Sequence, residues 1–196
     1  MKMILLKLIY ICRKKVQHVL NWYLELEIKT LHNNRIKISD NFYFTQFPVF
    51  NFDQSNSSIL LKANVSIRGC VNFNFFDDGN IEIGENTFFN GGCSISSLKQ
   101  IVIGRNCLIG ENVKMYDHNH NYKSDKILIK DQGYTFGAIE IGDNCWVGSN
   151  VTILKGVTIG NNCVIGSNCL VVKSLAANSI MYSDIRSQVV KSIDVE

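Results

Sequence analysis

The chain has 196 residues, 46% hydrophobic and 19% charged, with a formal net charge of +3. That length suits one domain with a sizeable core, and no apolar run approaches the eighteen or more residues of a membrane span. There is one proline, Pro48, and no low-complexity linker; no nucleic-acid partner is expected.

The first 37 residues carry eight Lys/Arg against Glu25 and Glu27, a net +6, so the remainder is net −3. Leu5, Leu8, Ile9, Cys12, Val16, Val19, Leu20 and Tyr23 recur at helical spacing, which predicts an amphipathic helix over about residues 3–24. It carries the basic cluster Arg13, Lys14 and Lys15. Two fates are open for its apolar stripe. It packs on the rest of the fold or on a partner subunit, or it rests on an anionic membrane surface. A secretory signal is not expected, because the basic cluster follows the apolar run where a small-residue cleavage site would stand.

From Ile59 onward a six-residue period takes over. Ile59, Val65, Val71, Asp77, Ile83, Phe89 and Ile95 are in phase, then Ile103, Ile109 and Met115, then Ile141, Val147, Ile153, Ile159, Ile165 and Val171. Asp77 is the one polar member. Gly often follows the aliphatic, and Asn often sits three places after it, as in IGDN, VGSN, IGNN and IGSN. Repeats of this length build a parallel β-helix, whose short strands bury a face only by stacking on the coil beneath. Gly and Asn suit its tight corners. With three strands per turn, these sixteen positions predict about five coils.

Two irregularities stand out. The step from Ile95 to Ile103 is eight residues, leaving two extra around Leu98 to Gln100. The step from Met115 to Ile141 is 26, which predicts one long inserted loop over residues 117–138. The predicted organisation is therefore a helix and connecting segment over 1–45, the β-helix domain over 46–180, and a tail over 181–196.

Cys93, Cys107, Cys145, Cys163 and Cys169 each lie four residues after an in-phase aliphatic, the inward slot that takes a small residue. Free Cys packs as a small hydrophobe. No CxxC occurs, so neither a disulfide framework nor a structural zinc site is expected. Reduced core thiols point to a cytoplasmic location, with contact at the inner membrane face as the open alternative.

Long excursions from a rigid scaffold carry function. The insertion opens with MYDHNHNYK, which holds His118 and His120, two of the four His. His18 and His32 lie in the N-terminal segment without catalytic context. Because neighbours in an extended strand point to opposite faces, Asp117 is expected not to contact His118. His120 is expected to share its face.

From about residue 81 to 191 the chain resembles the hexapeptide-repeat acyltransferases, in the branch of galactoside, maltose and polysaccharide O-acetyltransferases. The resemblance rests on DHNH and on IEIGDNCWVGSNVTILKGVTIGNNCVIGSNCLVVK. It implies an all-β, left-handed parallel β-helix, acetyl-CoA as co-substrate without a metal, and a homotrimer whose acceptor and acetyl-CoA meet between subunits. His118 falls on the catalytic base position, with His120 in reserve. Asn90, His120 and Trp146 are implied on the acceptor side; Trp146, Ser149, Ser167 and Lys173 on the CoA side. Each also has a plain reading: Asn90 a turn residue, Trp146 cover for a subunit contact, Lys173 a solvated lysine. The chain departs from the family at Ser167 (usually Ala), at Val172 (usually Thr), and in MYSDIRSQVVK, where a GxPAK-like turn is usual.

The implied activity is acetyl transfer to a sugar hydroxyl, in cell-surface polysaccharide or lipopolysaccharide synthesis. N-acetylation of an amino sugar or of a xenobiotic is the alternative, and a non-catalytic assembly β-helix lies further off. A metal-dependent hydratase on the same fold would need three His from separate coils, and the repeats supply only His118 and His120.

Overall fold

The structure is a computed structural model that describes residues 35–39, 41–53, 56–183 and 188–192, with scattered residues between 12 and 26. Strands of two to five residues are too short to stand alone. They stack instead into three parallel sheets forming the sides of a prism. Sheet A runs Ile36–Ile38, Ser58–Leu61, Asn80–Ile83, Gln100–Ile103, Ile139–Ile141 and Thr158–Ile159. Sheet B runs Tyr43–Phe44, Ser66–Ile67, Phe88–Phe89, Leu108–Ile109, Trp146–Val147 and Val164–Ile165, then Ser179–Ser183. Sheet C runs Val49–Phe52, Asn72–Phe75, Ser94–Ser97, Lys114–Tyr116, Thr152–Leu154 and Leu170–Val171. The chain passes A to B to C in every coil, so the prism has AB, BC and CA edges.

This all-β parallel solenoid is the expected fold, with two changes of extent. Among the described residues there are six coils, because a coil from Ile36 to Phe52 precedes the five expected ones. The solenoid therefore begins at Ile36, inside the segment expected to be a connector. It escaped notice because its corners lack Gly and keep the Asn spacing only once, at Asn41 (φ 61°), three residues after Ile38. At the other end, part of the expected tail pairs back: Gln188–Ser192 lies antiparallel to Ser179–Ser183.

The register corrects the phase of the second coil. Leu61 pairs with Ile83, Ile67 with Phe89 and Phe73 with Ile95. The equivalent positions are thus two residues beyond Ile59, Val65 and Val71. Residues two apart in a strand share a face, so all six are buried and either phase looks apolar. Asp77 is not an inward residue; it sits exposed in a corner at φ 48°. From Phe73 to Ile83 the step is then ten residues, with four extra at Phe76 to Gly79.

The core is a column of stacked aliphatics. Ile38, Leu61, Ile83, Ile103, Ile141 and Ile159 follow one another up sheet A. The five repeat cysteines are buried and unbridged, as their slot predicts. At the corners Asn takes left-handed backbone angles, as at Asn86 (φ 58°) and Asn106 (φ 58°). Their side chains bond up the stack, Asn64 to Asn86 at 3.0 Å and Asn86 to Asn106 at 3.1 Å. Asn suits this place because its short amide tolerates the αL region.

Most of the expected helix over 3–24 lies outside the described residues. Cys12, Lys15, Val16, Val19, Leu20, Trp22 and Tyr23, together with Leu26, are described and helical. Leu20 packs against the solenoid core, whereas Val16, Val19, Trp22, Tyr23 and Leu26 are exposed. Among the described residues no helix is long and apolar enough to cross a membrane.

Neighbouring residues on one strand should differ sharply in cost. Ile159 is buried and Thr158 exposed. Ile159→Ala should destabilise by about 2–5 kcal/mol, and Thr158→Ala by about 0.5 kcal/mol or less. Urea unfolding of both variants checks this.

Candidate active site

The inserted chain leaves the solenoid on the CA edge, above the corner at residues 98–100. Tyr116 ends its strand and Asp117 bends away. His118–His120 then pairs antiparallel with Tyr134–Phe136, His118 opposite Phe136 and His120 opposite Tyr134. The base of this hairpin is tied down by Gly137 N–H to Asp117 O at 2.8 Å and Gly156 N–H to Gly137 O at 2.9 Å. Farther out, Gln132 Nε2 donates to the carbonyls of Ser124 (2.8 Å) and Ile127 (2.7 Å), which closes the loop on itself.

Asp117 is completely buried. Its Oδ1 accepts from Leu98 N–H at 2.8 Å and lies 2.9 Å from His118 Nδ1. Its Oδ2 accepts from Ser97 Oγ–H at 3.0 Å and from the N–H groups of Lys99 and Gln100, each at 2.8 Å. Burial pushes the Asp117 carboxyl up, but the bonds from His118, Leu98, Lys99 and Ser97 outweigh it and hold the group below the usual carboxylate range.

The expectation that Asp117 avoids His118 is thus overturned. Alternation holds only within one strand, and Asp117 is the bend between two. Both side chains turn inward at that corner.

The His118 side chain is 12% exposed. Its ring meets Phe76 edge-on at 5.3 Å and Tyr134 at 5.4 Å. His120 lies more openly against the same Tyr134 ring at 4.7 Å. The two histidines therefore share a face through Tyr134. Lys99 Nζ sits 5.5 Å over the ring of Phe136, the residue opposite His118. A half-enclosed imidazole with a carboxylate behind it and aromatic walls beside it is equipped to take a proton from a bound hydroxyl.

The other candidate residues lie elsewhere. Lys173 is exposed near the CA edge, two coils above His118. Asn90 is on the BC edge, its Nδ2 donating to Glu111 Oε1 at 3.1 Å and its Oδ1 accepting from Gly91 N–H at 3.0 Å. Ser149 and Ser167 follow on that same BC edge, half-buried and exposed respectively. Trp146 projects from the outer face of sheet B, 55% exposed. Beside it an open cavity of about 490 Å³ is lined by Leu108, Asn144 and Val164. The BC and CA edges are separated by the width of sheet C, roughly 15–20 Å for six extended residues. A single chain therefore does not bring His118 together with Asn90, Ser149 and Ser167.

Sequence reasoning missed Phe76, Ser97, Lys99, Glu111 and Tyr134 as surroundings of these groups. The eight-residue step around Leu98 to Gln100 was the available signal for the cradle around Asp117. Among the described residues, no three His, Cys, Asp or Glu side chains are placed to hold a metal ion.

Residues 138–173 match the bacterial transferase hexapeptide (six repeats), and residues 100–114 the hexapeptide repeat of succinyl-transferase. The matched stretches of the solenoid are hexapeptide repeats. It is 40% identical over 118 residues to a Dictyostelium discoideum protein named "Putative acetyltransferase", covering 60% of each chain. It is 28% identical over 150 residues to an Escherichia coli K12 protein named "Putative lipopolysaccharide biosynthesis O-acetyl transferase WbbJ", covering 73% of this chain and 76% of that one. Among solved structures it resembles a galactoside acetyltransferase in complex with coenzyme A, with a TM-score of 0.55 and 28% identity over 78% of this chain and 66% of that one. The chain thus spans less than two thirds of the length of the Dictyostelium relative.

Removing the buried carboxylate should be costly. Asp117→Ala leaves three N–H donors without a partner, at about 1–3 kcal/mol each, so a loss of about 3 kcal/mol or more is expected in urea unfolding at pH 7. Because folding lowers the Asp117 pKa, the stabilisation is fully present above the ordinary carboxylate range near pH 4 and is lost as pH falls through the lowered value. The gap between wild type and variant should therefore close in strong acid.

Proposed function

We propose that the protein is an acetyl-CoA-dependent O-acetyltransferase that acts on a sugar hydroxyl, with His118 as the general base. The observation that carries this reading is His118 itself, backed by a buried carboxylate and walled by Phe76 and Tyr134 at the mouth of the one long insertion. The names of the relatives, an O-acetyl transferase and a galactoside acetyltransferase bound to coenzyme A, support it.

The chemistry is direct. A neutral ring nitrogen of His118 takes the proton of the acceptor hydroxyl as its oxygen attacks the thioester carbonyl carbon. Charge gathers on the carbonyl oxygen, where backbone N–H groups of the coil edge would hold it. The C–S bond then breaks, and the thiolate of coenzyme A recovers the proton from the imidazolium. The acceptor leaves as an acetyl ester. The thioester is already activated, so no covalent enzyme intermediate is required. Aromatic walls suit the apolar C–H face of a sugar ring.

The acceptor would be an intermediate of cell-surface polysaccharide or lipopolysaccharide, a reading supported by the name of the Escherichia coli relative. The working unit would be a homotrimer. Asn90, Ser149 and Ser167 on the BC edge would meet His118, His120 and Lys173 on the CA edge of a neighbouring copy, with Trp146 covering the seam. The exposed Val16, Val19, Trp22, Tyr23 and Leu26 would rest on an anionic membrane, helped by the basic N-terminal residues.

Thiol release from acetyl-CoA, measured across a panel of sugars and polysaccharide intermediates, tests the activity. His118→Ala should lower kcat by about 10²–10⁴ in a protein that still folds, with a lowered melting temperature because the buried Asp117 loses a partner, while His120→Ala keeps most activity. The reverse pattern would move the base to His120, and thiol release indifferent to every sugar would end the O-acetyltransferase reading. Light scattering should give about three times the 22.2 kDa chain mass. A fully active monomer would overturn the shared site.

A further inference from the structure

The enlarged corner at Leu98 to Gln100 is not explained by stacking. A six-residue side closes its corner with Gly or Asn, and the enlarged corner adds one buried side chain, Leu98, which lies outside the stacked column. The corner's backbone shows where the extra residues go. The N–H groups of Leu98, Lys99 and Gln100 all turn onto the Asp117 carboxylate, each at 2.8 Å. Ser97 adds its hydroxyl at 3.0 Å. Four donors thus converge on two buried oxygens, before His118 is counted.

This arrangement dictates the protonation of both partners. A proton on Oδ2 would crowd the N–H groups of Lys99 and Gln100, and one on Oδ1 could lie only between Oδ1 and His118 Nδ1; the donors around the carboxyl hold it below the usual carboxylate range, so that shared proton belongs to the imidazole. The group is therefore an ionised carboxylate, which accepts hydrogen bonds only. His118 Nδ1, at 2.9 Å from Oδ1, must then be the donor. In a neutral imidazole one nitrogen donates and the other accepts, so the lone pair is on Nε2. We propose that Asp117, cradled by the enlarged corner at residues 97–100, is a positioning residue that fixes His118 as its Nδ1–H tautomer with Nε2 bare toward the acceptor. This rests on His118 being the base, and it names which nitrogen does the work.

The cradle also sets orientation. The ring is pinned by the Nδ1 bond on one side and flanked by Phe76 and Tyr134. Rotation about the Cβ–Cγ bond would break the bond to Asp117 and bring ring carbon against a buried carboxylate. The corner at residues 97–100 belongs to the coil below, so the preceding turn of the prism preorganises the imidazole. A corner two residues shorter could not send three consecutive N–H groups inward.

The first test reads the tautomer in the wild-type protein. The ¹⁵N spectrum of histidine-labelled wild-type protein at pH 8 reports the tautomer of each of the four His, with His118→Ala identifying the signal. A protonated Nδ1 with an unprotonated Nε2 is expected at His118; the opposite tautomer, or an even mixture, overturns the proposal. In Asp117→Asn the amide directs a donor toward Oδ1 or Oδ2 partners that are themselves donors. The folded variant should lose about 10²–10⁴ in kcat, as expected for a wrong tautomer, while KM for acetyl-CoA stays within about twofold. A folded Asp117→Asn protein with wild-type kcat also overturns it. If His118→Ala stays active while the wild-type tautomer is as expected, the fault lies with the assignment of the base and not with the geometry of the cradle.

Discussion

Stacking of aliphatic side chains in register is the constraint on which the rest of this structure depends. Each inward residue meets its equivalent one coil away, and each strand bonds to the strands above and below. A strand that gained one residue would turn its apolar set outward. Extra residues must therefore leave at a corner. Here they leave at one corner only. The ten-residue step at Phe76 to Gly79, the eight-residue step at Leu98 to Gln100 and the 26-residue step after Met115 all fall on the CA edge. The other two edges keep to six residues per side through these coils. The rigid column thus confines all backbone freedom to one line along the prism, and the candidate active site is built on that line.

A second dependence follows from burial. A carboxylate removed from water is costly unless its oxygens are fully bonded. Asp117 meets that condition with backbone donors, which cannot rotate away as side chains do. The irregular corner, the buried carboxylate and the half-buried imidazole are therefore one unit. Phe76 comes from the enlarged corner two coils below and Tyr134 from the returning strand of the insertion, so three excursions of the same edge enclose His118. The mixed character of the remaining edge residues has the same origin. Asn90 and Glu111 bond to one another across neighbouring coils, one position out of register, because the corners of neighbouring coils stack closely.

The fold was legible because it repeats. Each six-residue unit restates the same rule, so Ile141 to Val171 identify the solenoid with no knowledge of any contact. Legibility failed where repetition failed. The coil from Ile36 to Phe52 has no Gly corner and one Asn corner, at Asn41, and most of it passed as a connector. Leu61, Ile67 and Phe73 were displaced by Ile59, Val65 and Val71 because both sets are apolar and both point inward. His118 was found from its place at the mouth of the insertion. Its bond to Asp117 was excluded by an alternation rule that stops applying where Tyr116 ends the strand.

The sequence by itself determined the period, the inward residues of the regular coils, the buried thiols and the position of the long insertion. These are local and repetitive properties, and six-residue spacing alone specifies which side chains stack. Only the tertiary structure decided what lies around His118 and which edge carries each remaining candidate. Ser97, Leu98, Lys99 and Gln100 reach Asp117 across 17 to 20 residues of chain, a separation set by one full turn of the prism. No spacing rule connects such residues until the coil closes. It is the closing of the coil, with a corner two residues longer than a six-residue side needs, that places three N–H groups around one buried carboxylate.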